Sequence, residues 1–162
     1  MESVLEKYFY VDLGLRTYYN SDRTKDSFSD DGFFKSGDAG SIDSEGYLKI
    51  TDRIKDLIKS GGEWISSIDM ENTLMSHTSI LEAAVVGIPH PKWEERPLAL
   101  VVLREGFKSS AEDEIRQYLT KDFAKWQLPD KIIFVDSIPR TSVGKLNKKV
   151  IRMEYNDIYN EI

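Results

Sequence analysis

The sequence predicts an α+β protein: a small mixed-sheet domain with flanking helices, preceded by a β-hairpin-rich segment. Three observations predict it. Apolar, β-branched runs at 81–88, 97–103 and 132–135 alternate with stretches whose apolar residues recur at helical spacing. Helix starts are marked by capping-box spacings, Ser66 with Asp69 and Ser110 with Asp113. The charge balance changes near residue 52: residues 1–52 hold 6 basic and 11 acidic side chains, residues 53–162 hold 16 and 17. A boundary at Asp52-Arg53 follows, with domains 1–52 and 53–162.

Taken in order, residues 1–30 are weakly patterned, with aromatic pairs Tyr8-Phe9-Tyr10 and Tyr18-Tyr19 and a polar stretch at 20–31 that reads as loop or short helix. Short strands are expected at 33–34, 39–42 and 47–51, the last two joined by a turn at Asp43-Ser44-Glu45-Gly46. Another strand is expected at 54–58, stopped by Ser60-Gly61-Gly62. A helix runs from Ser66 to about Met75, with Ile68, Leu74 and Met75 expected to be buried. Strands follow at 81–88, ended by Pro89-His90-Pro91, and at 97–103. The Ser110 helix places Ile115, Tyr118 and Leu119 on one face. A third core strand at 132–135 precedes a helix at 147–159 with Val150, Ile151, Tyr155 and Ile158 at helical spacing.

Composition excludes several classes. The chain has 162 residues, 40% hydrophobic and 31% charged, and no cysteine. Disulfides, thiolate metal sites and a cysteine nucleophile are therefore excluded, and two histidines make a histidine-rich metal site an unsuitable reading. No metal ligands are assigned. No apolar run approaches the roughly 18 residues of a membrane span. The N-terminal residues lack the basic-then-apolar pattern of a signal peptide, so the expected compartment is the cytoplasm. A net charge of −6 argues against general nucleic-acid binding. Within that acidic chain, residues 140–152 carry Arg140, Lys145, Lys148, Lys149 and Arg152 and no acid, a cluster suited to a small polyanion or to a solvated helix face.

Four constellations carry candidate chemistry. In the first, Phe34-Lys35-Ser36-Gly37-Asp38, a carboxylate at a strand end can accept hydrogen bonds from two vicinal hydroxyls, as acids do with ribose; it can equally stabilise its own turn. The second runs from Tyr47 through Asp52-Arg53-Ile54-Lys55-Asp56 to Gly61-Gly62-Glu63-Trp64. It reads either as an edge strand with solvated charges or as a path where two glycines let a narrow ligand pass. The third, Pro139-Arg140-Thr141-Ser142-Val143-Gly144-Lys145, places a lysine at a loop tip that can reach a phosphate, or simply be solvated; it lacks the spacing of a P-loop. The fourth, His90-Pro91-Lys92-Trp93-Glu94-Glu95-Arg96-Pro97, reads as a rigid connection between buried strands, with Trp93 packed on the core.

The order and spacing of the first three motifs resemble the adenylate-forming superfamily, which comprises acyl- and aryl-CoA synthetases, peptide-synthetase adenylation domains and firefly luciferases. The resemblance covers roughly 32–158. The stretches Lys59-Ser60-Gly61-Gly62-Glu63-Trp64-Ile65 and Phe123-Ala124-Lys125-Trp126-Gln127-Leu128-Pro129 look most like medium- and long-chain fatty-acid–CoA ligases. The resemblance implies that residues 1–52 are the tail end of a large N-terminal AMP-binding domain, and residues 53–162 a mobile C-terminal domain. It implies a fatty acid, ATP and CoA as substrates, with magnesium held in the large domain. By motif, Asp38 and Arg53 would bind nucleotide, Lys55 would be the hinge, Lys145 would be catalytic in adenylate formation, and Gly61 and Gly62 would line the pantetheine tunnel.

The phosphate loop, acyl pocket and magnesium-binding acid of that superfamily have no counterpart here. The expectation is therefore a chain not competent alone, with self-association possible through residues 1–52. The alternatives are a domain of another adenylate-forming enzyme, such as an aryl-CoA ligase or adenylation domain, and a non-catalytic CoA- or nucleotide-binding module acting in trans.

Overall fold

The computed structural model describes residues 10–11, 28–31, 34–107 and 112–160. The aromatic residues at 8–9 and 18–19, most of the polar stretch 20–31 and the Ser110 cap lie outside the described residues. The chain forms two compact units, Met1–Lys55 and Asp56–Ile162.

The first unit is built of two-stranded ribbons. Strand β1 (Tyr10–Val11) pairs antiparallel with β2 (Phe34–Lys35), and the Phe28 ring sits edge-on to Phe34 at 5.7 Å. Strand β3 (Asp38–Ile42) pairs antiparallel with β4 (Leu48–Arg53), with a register shift between Ala39 and Gly40. The turn joining them is the expected one: Asp43 Oδ1 accepts hydrogen bonds from the backbone N–H groups of Glu45 and Tyr47, both at 2.9 Å. Ile42, Leu48 and Ile50 share one face of this ribbon and are exposed.

Residues 54–56 depart from expectation. The structure has a 3₁₀ turn, Ile54–Asp56, where a strand was expected over 54–58. The reason is legible afterwards: Ile54, Leu57 and Ile58 stand at i, i+3 and i+4, a helical rather than an alternating period.

The second unit is a five-stranded mixed sheet with helices on both faces, the predicted α+β arrangement. Strands β5 (Ile58–Ser60) and β6 (Glu63–Ile65) form a tight hairpin; β7 (Ile80–His90) and β8 (Glu94–Leu103) form a long one. Strand β9 (Lys131–Phe134) runs parallel to β8, and β5 pairs with the start of β8 at Ser60 and Glu94. Side chains of β7 and β8 alternate between two cores. Ala83, Val85, Ala99 and Val101 face α1 (Ser67–Met75) and α2 (Glu112–Leu119), while Ala84, Val86, Leu98 and Leu100 face α3 (Lys148–Glu154).

Local signals explain the helix ends and also the misread burial. Ser66 Oγ accepts from the Asp69 N–H at 3.1 Å, as its spacing predicts. Helix α1 buries Ser67, Met70, Glu71 and Leu74, whereas Ile68 and Met75, expected inside, are exposed. Its inward stripe is partly polar because Glu71 has two partners. Glu71 Oε1 accepts from the Val85 N–H at 2.7 Å, filling a vacant position on the outer edge of β7, and pairs with Lys148 Nζ at 2.8 Å. Lys148 also donates to Ser67 Oγ at 2.7 Å. Helix α3 is shorter than the expected 147–159 and leaves Val150 exposed. Asn156 and Asp157 are poor helix formers, and beyond them the chain turns so that buried Tyr159 donates to the Pro97 carbonyl at 2.8 Å.

Two stability predictions follow from these buried contacts. Lys148 and Glu71 are only 12% and 9% exposed, so Lys148→Met strands a buried carboxylate. It should cost about 3 kcal/mol in urea unfolding, whereas an exposed pair would cost well under 1 kcal/mol. Burial raises the ionisation of Tyr159 above the ordinary tyrosine range. The unfolded tyrosine ionises near 10 and the folded one resists it, so this contribution is intact below about pH 10 and lost as pH rises beyond it. Tyr159→Phe should cost about 1 kcal/mol at neutral pH and flatten that alkaline loss, measured as the urea midpoint against pH.

Candidate functional site

The candidate residues fall into three local arrangements. In the first unit, Asp38 and Arg53 are cross-strand partners of β3 and β4, and Arg53 Nε donates to Asp38 Oδ1 at 2.9 Å. Arg53 also donates from a guanidinium N–H to the Ser36 carbonyl at 3.2 Å, and the Asp38 N–H donates to Ser36 Oγ at 3.2 Å. The Asp38 carboxylate is therefore held at the strand end by its neighbour and keeps accessible surface for another donor. The ion pair itself is half exposed on the arginine side and contributes about 0.2–1 kcal/mol. Lys55 is exposed in the 3₁₀ turn at the junction of the two units.

In the second unit, Gly61 and Gly62 are the two central residues of the β5–β6 hairpin, with φ of 60° and 84°. Positive φ at both positions makes a two-residue turn that a side chain would strain. The Gly61 N–H donates to the Trp93 carbonyl at 2.9 Å, and a Cβ on Gly61 would come within 3.3 Å of the Trp93 ring. Trp93 was expected to pack on the core. It is instead 41% exposed, because the turn between β7 and β8 carries it beyond the sheet and against the glycine hairpin. Lys92 Nζ lies 4.7 Å from the centre of its ring.

Beside this contact opens a cleft of about 290 Å³ lined by Ser60, Gly61, Glu63, Trp93, Arg96, Trp126 and Asp130. Two partly exposed indole rings and a bare glycine backbone make a slot that suits a narrow chain or a flat ring. Arg96 lies beneath it, 8% exposed, with a bidentate pair to Asp130 at 2.7 and 2.8 Å.

The third arrangement is the loop of Lys145. The N–H of Thr141 donates to the Lys145 carbonyl at 2.7 Å, and the Gly144 N–H donates to the Thr141 carbonyl at 2.9 Å, closing a tight turn. Arg140 braces it, donating to the Gly144 carbonyl and to Glu82 Oε1, both at 2.7 Å. On the far side, Lys148 is anchored to Glu71 and Ser67. The Lys145 side chain is exposed at the tip of this braced loop.

The structure thus joins Asp38 to Arg53 and Gly61 to Gly62, and keeps Lys145 apart from the glycine hairpin. Sequence reasoning missed Arg96, Trp126, Asp130, Ser60 and Glu63 as lining residues, and placed Trp93 in the core. Ser60, Glu63 and Trp126 stood in stretches that carry the resemblance, without a lining role, and Arg96, a charged residue opening an apolar run, was read as part of a connection. Separations of some thirty residues between Ser60, Trp93 and Trp126 leave no local pattern to find.

Residues 69–145 match the family model of the AMP-binding enzyme C-terminal domain. Over 142 residues the chain is 55% identical to a long-chain-fatty-acid–CoA ligase of Thermus thermophilus, covering 88% of this chain and 26% of that protein. It is 42% identical over 144 residues to a medium-chain-fatty-acid–CoA ligase of Ectopseudomonas oleovorans, covering 89% and 26%. The chain spans about a quarter of the length of these relatives. Among solved structures, ATP-bound MatB from Rhodopseudomonas palustris superposes with a TM-score of 0.77 at 39% identity, over 85% of this chain and 27% of that one. The o-succinylbenzoate CoA synthetase of Bacillus subtilis, in complex with its acyl-adenylate intermediate, superposes with a TM-score of 0.77 at 36% identity, over 85% and 28%. Over residues 69–145, and in a mixed sheet with three helices, the chain is thus similar to the C-terminal domain of AMP-binding enzymes.

Proposed function

We propose that this chain works as the mobile C-terminal domain of a fatty-acid–CoA ligase, with residues 1–52 as the end of a large AMP-binding domain. The reaction is fatty acid plus ATP to acyl-AMP and pyrophosphate, then acyl-AMP plus CoA to acyl-CoA and AMP. The observation that carries this reading is the separation of two candidate loops along one hairpin. Arg140 ties the Lys145 loop to Glu82, near the start of β7, while Gly61 is bonded to Trp93, beyond the end of β7 at His90. Eight residues of strand separate those ends, roughly 26 Å at the usual rise. Two groups so far apart on one rigid sheet reach the same substrate only if the domain turns between steps, as a two-step reaction requires.

In the first step Lys145, at its braced tip, stabilises the negative charge on the α-phosphate oxygens as the carboxylate oxygen attacks phosphorus and the bond to pyrophosphate breaks. Asp38 holds the ribose hydroxyls, Arg53 the ribose and phosphate region, and Lys55 absorbs the rotation. In the second step the Gly61–Gly62 face and the Trp93 slot admit the pantetheine arm. Its thiol gives up its proton to solvent and the sulfur attacks the acyl carbonyl carbon, forming C–S as the C–O bond to AMP breaks and AMP leaves. Magnesium would offset phosphate charge. It would be held by residues of the large domain.

No described helix is long and apolar enough to cross a membrane, and with ATP and CoA as substrates a cytoplasmic setting fits. The exposed apolar face of Ile42, Leu48 and Ile50 supports self-association of the chain when it is alone.

Mixing this chain with a separately expressed large domain should yield acyl-CoA from a fatty acid, ATP and CoA, with neither part active alone. In that mixture Lys145→Ala should lower adenylate formation by a factor of about 10² to 10³ and largely spare thioester formation from added acyl-AMP. Equal loss in both steps would remove Lys145 from its assigned role. Gly61→Leu should do the reverse, because a side chain there strains the turn and meets the Trp93 ring; an intact thioester step would take Gly61 out of the CoA path.

A further inference from the structure

We propose that Arg96 is a positioning residue that sets the width of the slot, and hence the affinity for CoA, by tying its two walls to one guanidinium group. The inference rests on the reading of this slot as the CoA path. Every N–H of Arg96 has a partner. Nε donates to Asp130 Oδ2 at 2.8 Å; Nη2 donates to Asp130 Oδ1 at 2.7 Å and to the Leu128 carbonyl at 3.0 Å. Nη1 donates to Ser60 Oγ at 3.0 Å and to the Trp126 carbonyl at 2.6 Å.

The two Nη1 bonds matter most. Ser60 directly precedes Gly61 and so belongs to the wall formed by the glycine hairpin and Trp93. Trp126 lines the slot from a separate segment, a 3₁₀ turn, Lys125–Gln127, that belongs to neither α2 nor β9. One nitrogen therefore fixes the distance between walls contributed by segments more than thirty residues apart. With all five donors spent and the side chain buried, Arg96 has none to offer a ligand; it acts through Ser60 and Trp126. A planar fork with five donors is required, because a lysine ammonium carries three donors from a single point and cannot hold Asp130, Ser60 and both carbonyls at once.

The test is calorimetric titration of the chain with CoA, run on wild type, Ser60→Ala, Arg96→Lys and the double variant, with urea unfolding of each. Ser60→Ala cuts only the tie to the hairpin wall and should keep a cooperative transition while raising the Kd for CoA roughly three- to tenfold, the effect of one lost hydrogen bond. Arg96→Lys should raise it at least as much, and the double variant no further than Arg96→Lys, since both changes cut the same tie. Added to the large domain, the folded variants should need more CoA for thioester formation while adenylate formation keeps its rate. An unchanged Kd in folded Ser60→Ala and Arg96→Lys, or fully additive effects, overturns the proposal. Loss of folding in both single variants also overturns it, since the guanidinium would then serve the fold and not the slot. Failure of the wild-type chain to bind CoA is a distinct result: it removes the slot from the CoA path, and this inference with it.

Discussion

The pairing of β7 with β8 is the constraint on which the rest of the second unit depends. Ten residues of one strand lie against ten of the other, and those of the central pairs are buried on both faces. Successive side chains point to opposite faces, so a slip of one residue would exchange the whole set that packs on α1 and α2 for the set that packs on α3. Alanines at 83, 84 and 99 and larger residues at 85, 86, 98 and 100 have different partners on the two sides, and only one register satisfies both cores. That register also places the candidate loops, since one is bonded near the start of β7 and the other beyond its end.

A hairpin buried on both faces still has strand edges, and charged side chains cover them. Glu71 accepts from the Val85 N–H on the outer edge of β7, and Glu112 accepts from the Ile132 N–H at 3.1 Å beside β9. Each acid is itself paired, Glu71 with Lys148 and Glu112 with Arg116. Such contacts satisfy backbone donors that would otherwise be stranded or free to pair with another chain. They also tie the layers together, as the Lys148 pair links α3 to α1 around the sheet edge. The same pair anchors the chain three residues beyond Lys145, so the polar device that closes the fold also steadies a candidate loop.

The slot shows the reverse arrangement, in which the fold assembles a surface from pieces that have no value singly. A glycine hairpin, the turn that carries Trp93, a 3₁₀ turn and the start of β8 meet at one buried guanidinium. Burying that charge is tolerable because a bidentate carboxylate and three further oxygens receive its protons. The exposure of Trp93 follows from this convergence. It is a large apolar ring left at the surface where a bare glycine backbone, not a core, is its neighbour.

By itself the sequence determined the elements and the local motifs. Capping at Ser66, the Asp43 turn, the apolar strands and the Gly-Gly hairpin all follow from rules that act over a few residues, and so were legible without the fold. The ordered motifs around Asp38, Arg53 and Lys145 pointed to the family for the same reason: each is a short stretch with its own spacing. What ran over longer distances was decided only by tertiary structure. Ile68 lies outside and Glu71 inside because Lys148, far along the chain, comes to meet the acid. Arg96 became the centre of the slot because its partners, at 60, 126, 128 and 130, are brought together by strand pairing and not by spacing. Hydrogen bonds and packing act through space, and a sequence displays only those whose partners are near along the chain.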